Sequence, residues 1–448
     1  MDRPLIIKNV LVVTDNQIVH SDVLIKKGHI DKIALEIQVP YATDLYDGQG
    51  NHLIPGWIDD QVHFREPGLT WKGDIYSESR AAVAGGITSF MEMPNTQPSA
   101  FTHSLLEDKY AIASQNSPAN YSFYLGASSD NLEEIKRTNP QEVCGLKIFM
   151  GSSTGNLLVD DPAVLENIFT HAPVLIATHC EHEPSIRAAI QYYKETLGNT
   201  ATAVHHPIVR NAEACILSSQ QAIEIAKRTG ARLHILHIST AAEVELFSAS
   251  IPLKEKRITS EACVHHLWFT DQDYERLGNR IKWNPAIKSE ADRAAIRQGL
   301  KRNNIDVIAT DHAPHTLAEK SLGYWEAPSG GPLVQHGLPA LMHMVNEGVF
   351  SLTEMVTKTS HAVAECFQIK DRGYLREGYK ADMVLVNLKK PLSVNSNNLL
   401  YKCGWSPFED FTFSASIAST WVNGNQVWDG QSLVAAPPGE RLTFDRNA

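Results

Sequence analysis

Eight short apolar runs recur between residues 52 and 315, with helical stretches between them. They are HLIPGWID from His52, GITSFMEMPN from Gly86, NYSFYLGAS from Asn120, CGLKIFMGSS from Cys144, PVLIATHCEHE from Pro173, RLHILHIST from Arg232, ITSEACVHHL from Ile258 and DVIATDHAPH from Asp306. Glu78–Gly85 and Ala212–Gly230 are the clearest helical segments. Eight strand-then-helix repeats predict an α/β protein built on a (β/α)8 TIM-like barrel, a parallel sheet closed on itself.

The flanks have a different texture. The first ~50 residues and the last ~75 show short alternating apolar runs cut by turn residues, the pattern of exposed sheet. Val422-Asn423-Gly424-Asn425-Gln426-Val427 places Asn-Gly between two such runs, a strong hairpin signal. Each end alone is too thin to bury a core, so the two are expected to join in one small β-sandwich domain. The division is 1–54 for its N-terminal part, 55–370 for the barrel and 371–448 for its C-terminal part. With 448 residues, 43% of them hydrophobic, the chain has ample material for such a core.

A net charge of −11 argues against nucleic acid or an anionic membrane as partner. No window is long and apolar enough for a membrane span, and MDRPLIIKNV lacks a signal-peptide pattern. The six cysteines, at 144, 180, 215, 263, 366 and 403, include no C-x-x-C and read as reduced thiols of a cytoplasmic protein.

Polar residues gather at the C-terminal ends of the runs: His63 after the first, Asn95 after the second, His179, His237 and His265-His266 after the fifth, sixth and seventh, Asp311 and His315 at the eighth. Lys147 lies within the fourth. In a barrel those ends converge on one mouth. Three imidazoles and a carboxylate suit zinc or a similar divalent ion. A first His two residues before His63 would complete a pair pointing the same way, but Gln61 stands there, a neutral and weaker donor.

Lys147 is flanked by Leu146 and Ile148, where an ammonium is costly to bury. Beside metals its neutral amine can take up CO₂ as a carbamate, whose two oxygens bridge two cations. Snorkelling to the surface or pairing with an acid are the alternatives.

The segments PGWIDDQVHFREPG, MEMPNTQPS, GLKIFMGSSTGN, ATHCEHE, HHPIVRNAEA, LHILHIST, EACVHHL, KWNPAIK, ATDHAPH and GYLREGYKADMVLV occur in order. Together they resemble the dihydroorotases of the amidohydrolase superfamily, over nearly the whole chain. The resemblance implies two zinc ions per chain. His63, with the residue at 61, would hold the first and His179 with His237 the second. Lys147 would bridge them as a carbamate, and Asp311 would touch the first ion and shuttle the proton. The region where some dihydroorotases carry a bridging aspartate reads Gly151-Ser152-Ser153 here. Gln61 leaves the first ion's ligand set altered, while the other elements are intact.

Arg65, two residues past His63, suits a bidentate pair with a carboxylate, and Asn95 and His315 can add hydrogen bonds to it. The resemblance also places His63, Asn284 and the backbone of Ser329 and Gly330 on the substrate. The implied reaction is reversible closure of N-carbamoyl-L-aspartate to L-dihydroorotate plus water, in pyrimidine (UMP) biosynthesis. In the hydrolytic direction a metal-bound hydroxide attacks the ring carbonyl and Asp311 delivers the proton. Homodimer formation or a complex with aspartate carbamoyltransferase are the assemblies the resemblance allows. The alternatives are another cyclic amidase, dihydropyrimidinase-like or allantoinase-like, or an inactive scaffold homologue. Hydantoinases share several motifs but typically lack the arginine of HFREPG.

The remaining histidines read as structural. His234 falls out of phase with His237 and is expected outside the barrel. His265-His266, Glu181 and His182 are expected to support the mouth, and His205-His206 to start a helix. Ser152–Gly155 is either a loop over the site or a plain turn.

Overall fold

The computed structural model describes residues 3–38, 43–152 and 155–446. Eight parallel strand segments form the barrel. The first two are Trp57–Val62 and Ile87–Glu92. The third run splits at Tyr124: Asn120–Phe123 pairs with the second strand and Leu125–Gly126 with the fourth, Leu146–Phe149. Ile176–His179, Leu233–Ile235, Ile258–Cys263 and Val307–Ala309 follow in order. The ring closes where the His63 N–H donates to the His312 carbonyl at 2.7 Å.

The helices begin and end where their sequence allows. Asp74 caps Ile75–Ala84 by accepting the Ser77 N–H, so this helix starts three residues before the expected Glu78. Ala212–Thr229 is capped by Asn211 and stopped by Gly230 at φ +73°, the left-handed conformation that glycine adopts without strain. Its buried face carries Ala214, Ser218, Ala222 and Ala226 at helical spacing. Side chains that small let the helix lie close against the barrel.

The first apolar run is two strands rather than one. His52–Pro55 belongs to the outer sheet and Trp57–Val62 to the barrel. Gly56 sits between them, where a Cβ would fall 2.0 Å from Thr88 Oγ1. His52–Pro55 lies parallel to Leu5–Thr14 and antiparallel to Met383–Asn387, joining the two ends of the chain in one eight-stranded sheet. Alternation sends Leu53, Met383 and Leu385 into that domain's own core with Ile7, Val23, Ile25 and Trp421. Ile54, Val384 and Val386 face the main core shared with the barrel. Gly424 lies against Ile25, and the Ala381 N–H reaches the Gly28 carbonyl, so the sheet folds over on itself as a sandwich. Val422 pairs with Asn425 across the Asn423-Gly424 turn, both turn residues at positive φ.

Two sequence expectations need correction. The last residues of 371–448 leave the sheet: the Tyr121 N–H donates to the Glu440 carbonyl, the Leu442 N–H to Tyr121, and Arg446 binds the Val143, Cys144 and Phe367 carbonyls. His234 points into the barrel. It is fully buried, with Nε2 3.3 Å from Asp60 on the first strand and 3.8 Å from Glu261 on the seventh. Period-two reasoning fails there because the strand ends at Ile235 and His237 takes φ +41°, so His234 and His237 both face inward.

Ser153 and Thr154, on which the loop reading partly rested, lie outside the described residues. Among the described residues all six cysteines are free, and no helix is long and apolar enough to cross a membrane.

Candidate metal-dependent active site

A cavity of about 240 Å³ opens at the C-terminal ends of the barrel strands. All twelve candidate residues line it: Gln61, His63, Arg65, Asn95, Lys147, His179, His237, Asn284, Asp311, His315, Ser329 and Gly330. Phe149, Ser152, Trp283 and Ala313 complete the wall. Arg65, His237 and Asp311 all have positive φ, backbone strain of the kind that clusters at functional sites.

Neighbouring groups fix the tautomers of His63 and His179. His63 Nδ1 meets Asn95 Oδ1 at 2.7 Å, which makes Nδ1 the protonated nitrogen. Nε2 is then left bare, 3.3 Å from Asp311 Oδ1. His179 Nε2 donates to Glu181 at 2.8 Å, so its bare Nδ1 faces His237 Nε2 at 2.9 Å. His237 Nδ1 is buried without a hydrogen-bond partner. Burial pushes all three imidazoles below their ordinary pKa, His237 the furthest, which keeps them neutral. A bare His63 nitrogen facing a carboxylate, and two neutral imidazoles in contact with one of their nitrogens buried unpartnered, make a donor set that fits divalent metal ions.

Burial opposes ionisation of Glu181, yet Arg210 and His179 hold its carboxyl at about 2. It is thus a fixed anion behind His179, itself held by Arg210. Lys147 is 1% exposed, and its ammonium lies 4.5 Å from the Phe149 ring centre. Burial lowers its pKa to about 8, with Asp311 and Glu261 opposing the shift.

Gln61 presents its Nε2–H to Asp311 Oδ1 at 3.0 Å, and its Oε1 lies 3.7 Å from the Cys263 thiol. The reverse orientation would set the amide oxygen against a carboxylate. In the observed orientation the side chain offers Asp311 a donor and turns its potential metal-binding oxygen away.

The opposite wall is cationic. Arg65 Nε donates to the Pro314 carbonyl at 3.0 Å, and Nη2 lies 3.0 Å from His315 Nε2. Lys72 Nζ is 3.0 Å from His315 Nδ1. Burial pushes His315 well below its ordinary pKa, with Arg65, Lys320 and Lys72 adding to the shift. Asn284 donates to Ser152 Oγ at 2.7 Å, and its Oδ1 is left without a hydrogen-bond partner.

Lysines that sequence reasoning passed over hold the Ser329-Gly330 corner. Lys320 donates to the Gly330 and Pro328 carbonyls at 2.7 and 2.8 Å, and Lys282 to those of Tyr324 and Ala327 at 2.6 Å each. Gly330 has φ +123°, and a Cβ there would meet the Ala313 carbonyl at 2.5 Å. The paired histidines buttress the same wall. His265 stacks on Trp283 at 4.6 Å, His266 reaches the Pro285 carbonyl, and His206 that of Trp283. Buried lysines spent on backbone carbonyls leave no periodic sequence signal.

The amidohydrolase family model matches residues 52–427. The chain belongs to the amidohydrolase family. It is similar to the dihydroorotase of Methanosarcina mazei, 32% identical with 96% of this chain and 95% of that one covered. A dihydroorotase of Carboxydothermus hydrogenoformans is 34% identical over 89% and 92% of the two chains. Among solved structures, L-hydantoinase (dihydropyrimidinase) from Arthrobacter aurescens superposes with a TM-score of 0.93 at 25% identity, covering 99% of this chain and all of that one. This amidohydrolase is a hydrolase acting on cyclic amides, of a family that binds metals.

Proposed function

We propose that this amidohydrolase is a dihydroorotase, interconverting N-carbamoyl-L-aspartate and L-dihydroorotate. The observation that carries this reading is Arg65, buried in the cavity wall beside His315 and open to the same space as the metal-type ligands. A guanidinium there suits the ring carboxylate of dihydroorotate, which hydantoin and dihydrouracil lack. The dihydroorotase-named relatives support the same reading.

His179 with His237 would hold one ion and His63 with Asp311 the other. Lys147 would lie between them as a carbamate, formed when its neutral amine attacks CO₂ and releases a proton. When bound, the ions supply the Lewis acidity that ionises water and polarises the ring carbonyl. Arg65 and His315 bind the carboxylate, and Asn284 with the Ser329-Gly330 backbone orients the ring. Asp311 accepts the proton of the attacking water and returns it to the departing amide nitrogen. Gln61 holds Asp311 in place through its amide N–H.

A hydantoinase-type reading is favoured by one observation, the close superposition on L-hydantoinase. Comparing kcat/KM for L-dihydroorotate, hydantoin and dihydrouracil on one zinc-loaded preparation separates the two. Strong preference for the acid ring supports dihydroorotase, and equal or better turnover of the carboxylate-free rings contradicts it.

A further inference from the structure

Beneath the cavity floor, Asp60, His234 and Glu261 meet inside the barrel, each fully buried. One ligand-type atom from each lies within 4.8 Å of the others. Both oxygens of Asp60, Nε2 of His234 and Oε2 of Glu261 lack hydrogen-bond partners. So many unsatisfied polar atoms in one dry place are costly unless something stands between them.

The partners of these side chains narrow what that is. Thr259 donates its hydroxyl to the Leu233 carbonyl, so its oxygen accepts from His234 Nδ1 at 2.8 Å. Nε2 is then the ring nitrogen turned toward the two carboxylates. Glu261 Oε1 is taken by the His237 N–H at 3.0 Å and the Cys263 thiol at 3.2 Å, which leaves Oε2 for the cluster. A ring nitrogen facing two buried acids makes a site that a cation fills.

The spacing fits as well. Zinc ligands at about 2.1 Å in a tetrahedral shell stand roughly 3.4 Å apart. His234 Nε2 is 3.3 Å from Asp60 Oδ2 and 3.8 Å from Glu261 Oε2. One nitrogen and two oxygens suit a first-row divalent ion of the zinc class.

We infer that Asp60, His234 and Glu261 form a further, structural metal site beneath the catalytic cavity, one that takes a zinc-class divalent ion. With all three side chains sealed from solvent, the ion enters as the barrel folds and leaves slowly. It ties the first, sixth and seventh strands together below the mouth and, through Glu261, steadies the His237 backbone. The site is independent of the reaction proposed above.

The test is diffraction from crystals of the full-length protein grown with zinc, recorded on both sides of the zinc absorption edge. An anomalous peak bonded to Asp60, His234 Nε2 and Glu261 Oε2, distinct from any peak at His63/Asp311 or His179/His237, is the expected result. Absence of a peak at the triad overturns the inference whether or not the mouth is occupied, and His234 hydrogen-bonded to both carboxylates would show that a proton fills the role instead. In solution, mild chelation of native protein should leave one metal equivalent per chain, and of Asp60→Leu none. Equal retention by the two proteins also overturns it, and if Asp60→Leu does not fold, the diffraction result decides alone.

Discussion

Gln61 donates its amide N–H to Asp311 Oδ1 at 3.0 Å, the same oxygen that lies 3.3 Å from His63 Nε2. A position that could have supplied a third nitrogen to the first metal instead supplies a hydrogen-bond donor to the acid proposed to move the proton. Gln61→His should therefore tighten the first metal and remove a contact from Asp311. Metal titration of the two proteins side by side checks this. Indistinguishable first-metal affinities would mean that the glutamine already acts as a full ligand.

Arg65→Ala should mainly weaken substrate binding. Losing a charge-assisted bidentate contact costs about 2–5 kcal/mol, which would appear as a loss in kcat/KM for L-dihydroorotate. Carboxylate-free rings should be affected far less. A uniform loss across all three rings would indicate that Arg65 supports the wall rather than the substrate.

Asp311→Ala should keep metal at His179 and His237 and lose nearly all turnover, since a positioned proton-transfer group is worth ~10²–10⁴-fold by itself. Metal content and activity measured on one sample separate the two effects. Retention of a large share of native activity would rule out the assigned proton transfer.

Lys147→Ala should lose metal and activity together, with partial rescue by added short carboxylates that stand in for the carbamate oxygens. Mass measurement on the gently handled native protein should show the added CO₂. A bare amine in fully metallated enzyme would contradict the carbamate.

Glu181 is held at about 2 against an ordinary value of 4.5. A carboxyl depressed in the folded state contributes stability above its unfolded pKa and loses it as pH falls through the folded one, so the window runs from about 4.5 down to about 2. The shift corresponds to about 3 kcal/mol. Denaturant unfolding of metal-free native and Glu181→Gln proteins should show a gap near neutral pH that narrows through that window. A gap that does not change with pH would mean the ionised carboxylate contributes nothing specific.

Much of this was legible in the sequence because barrel chemistry is local to strand ends. His63, His179, His237 and Asp311 each follow an apolar run, and a parallel barrel brings such positions together whatever their separation along the chain. What could not be read depends on packing across the ring. His234 and His237 share the inner side because the strand ends at Ile235 and His237 takes a positive φ. Which way the Gln61 amide points is settled by Asp311, 250 residues away. Gly56 divides one apparent strand between two sheets because Thr88 leaves no room for a side chain. The return of Arg446 to the barrel carries no pattern at all, since its partners are backbone carbonyls.

The most direct test of the central claim is an ultraviolet assay of L-dihydroorotate hydrolysis on a zinc-loaded sample whose metal content is measured in parallel. The expected result is turnover that disappears on chelation, returns with zinc, and greatly exceeds turnover of hydantoin under the same conditions. Fully metallated protein that leaves L-dihydroorotate untouched would contradict it.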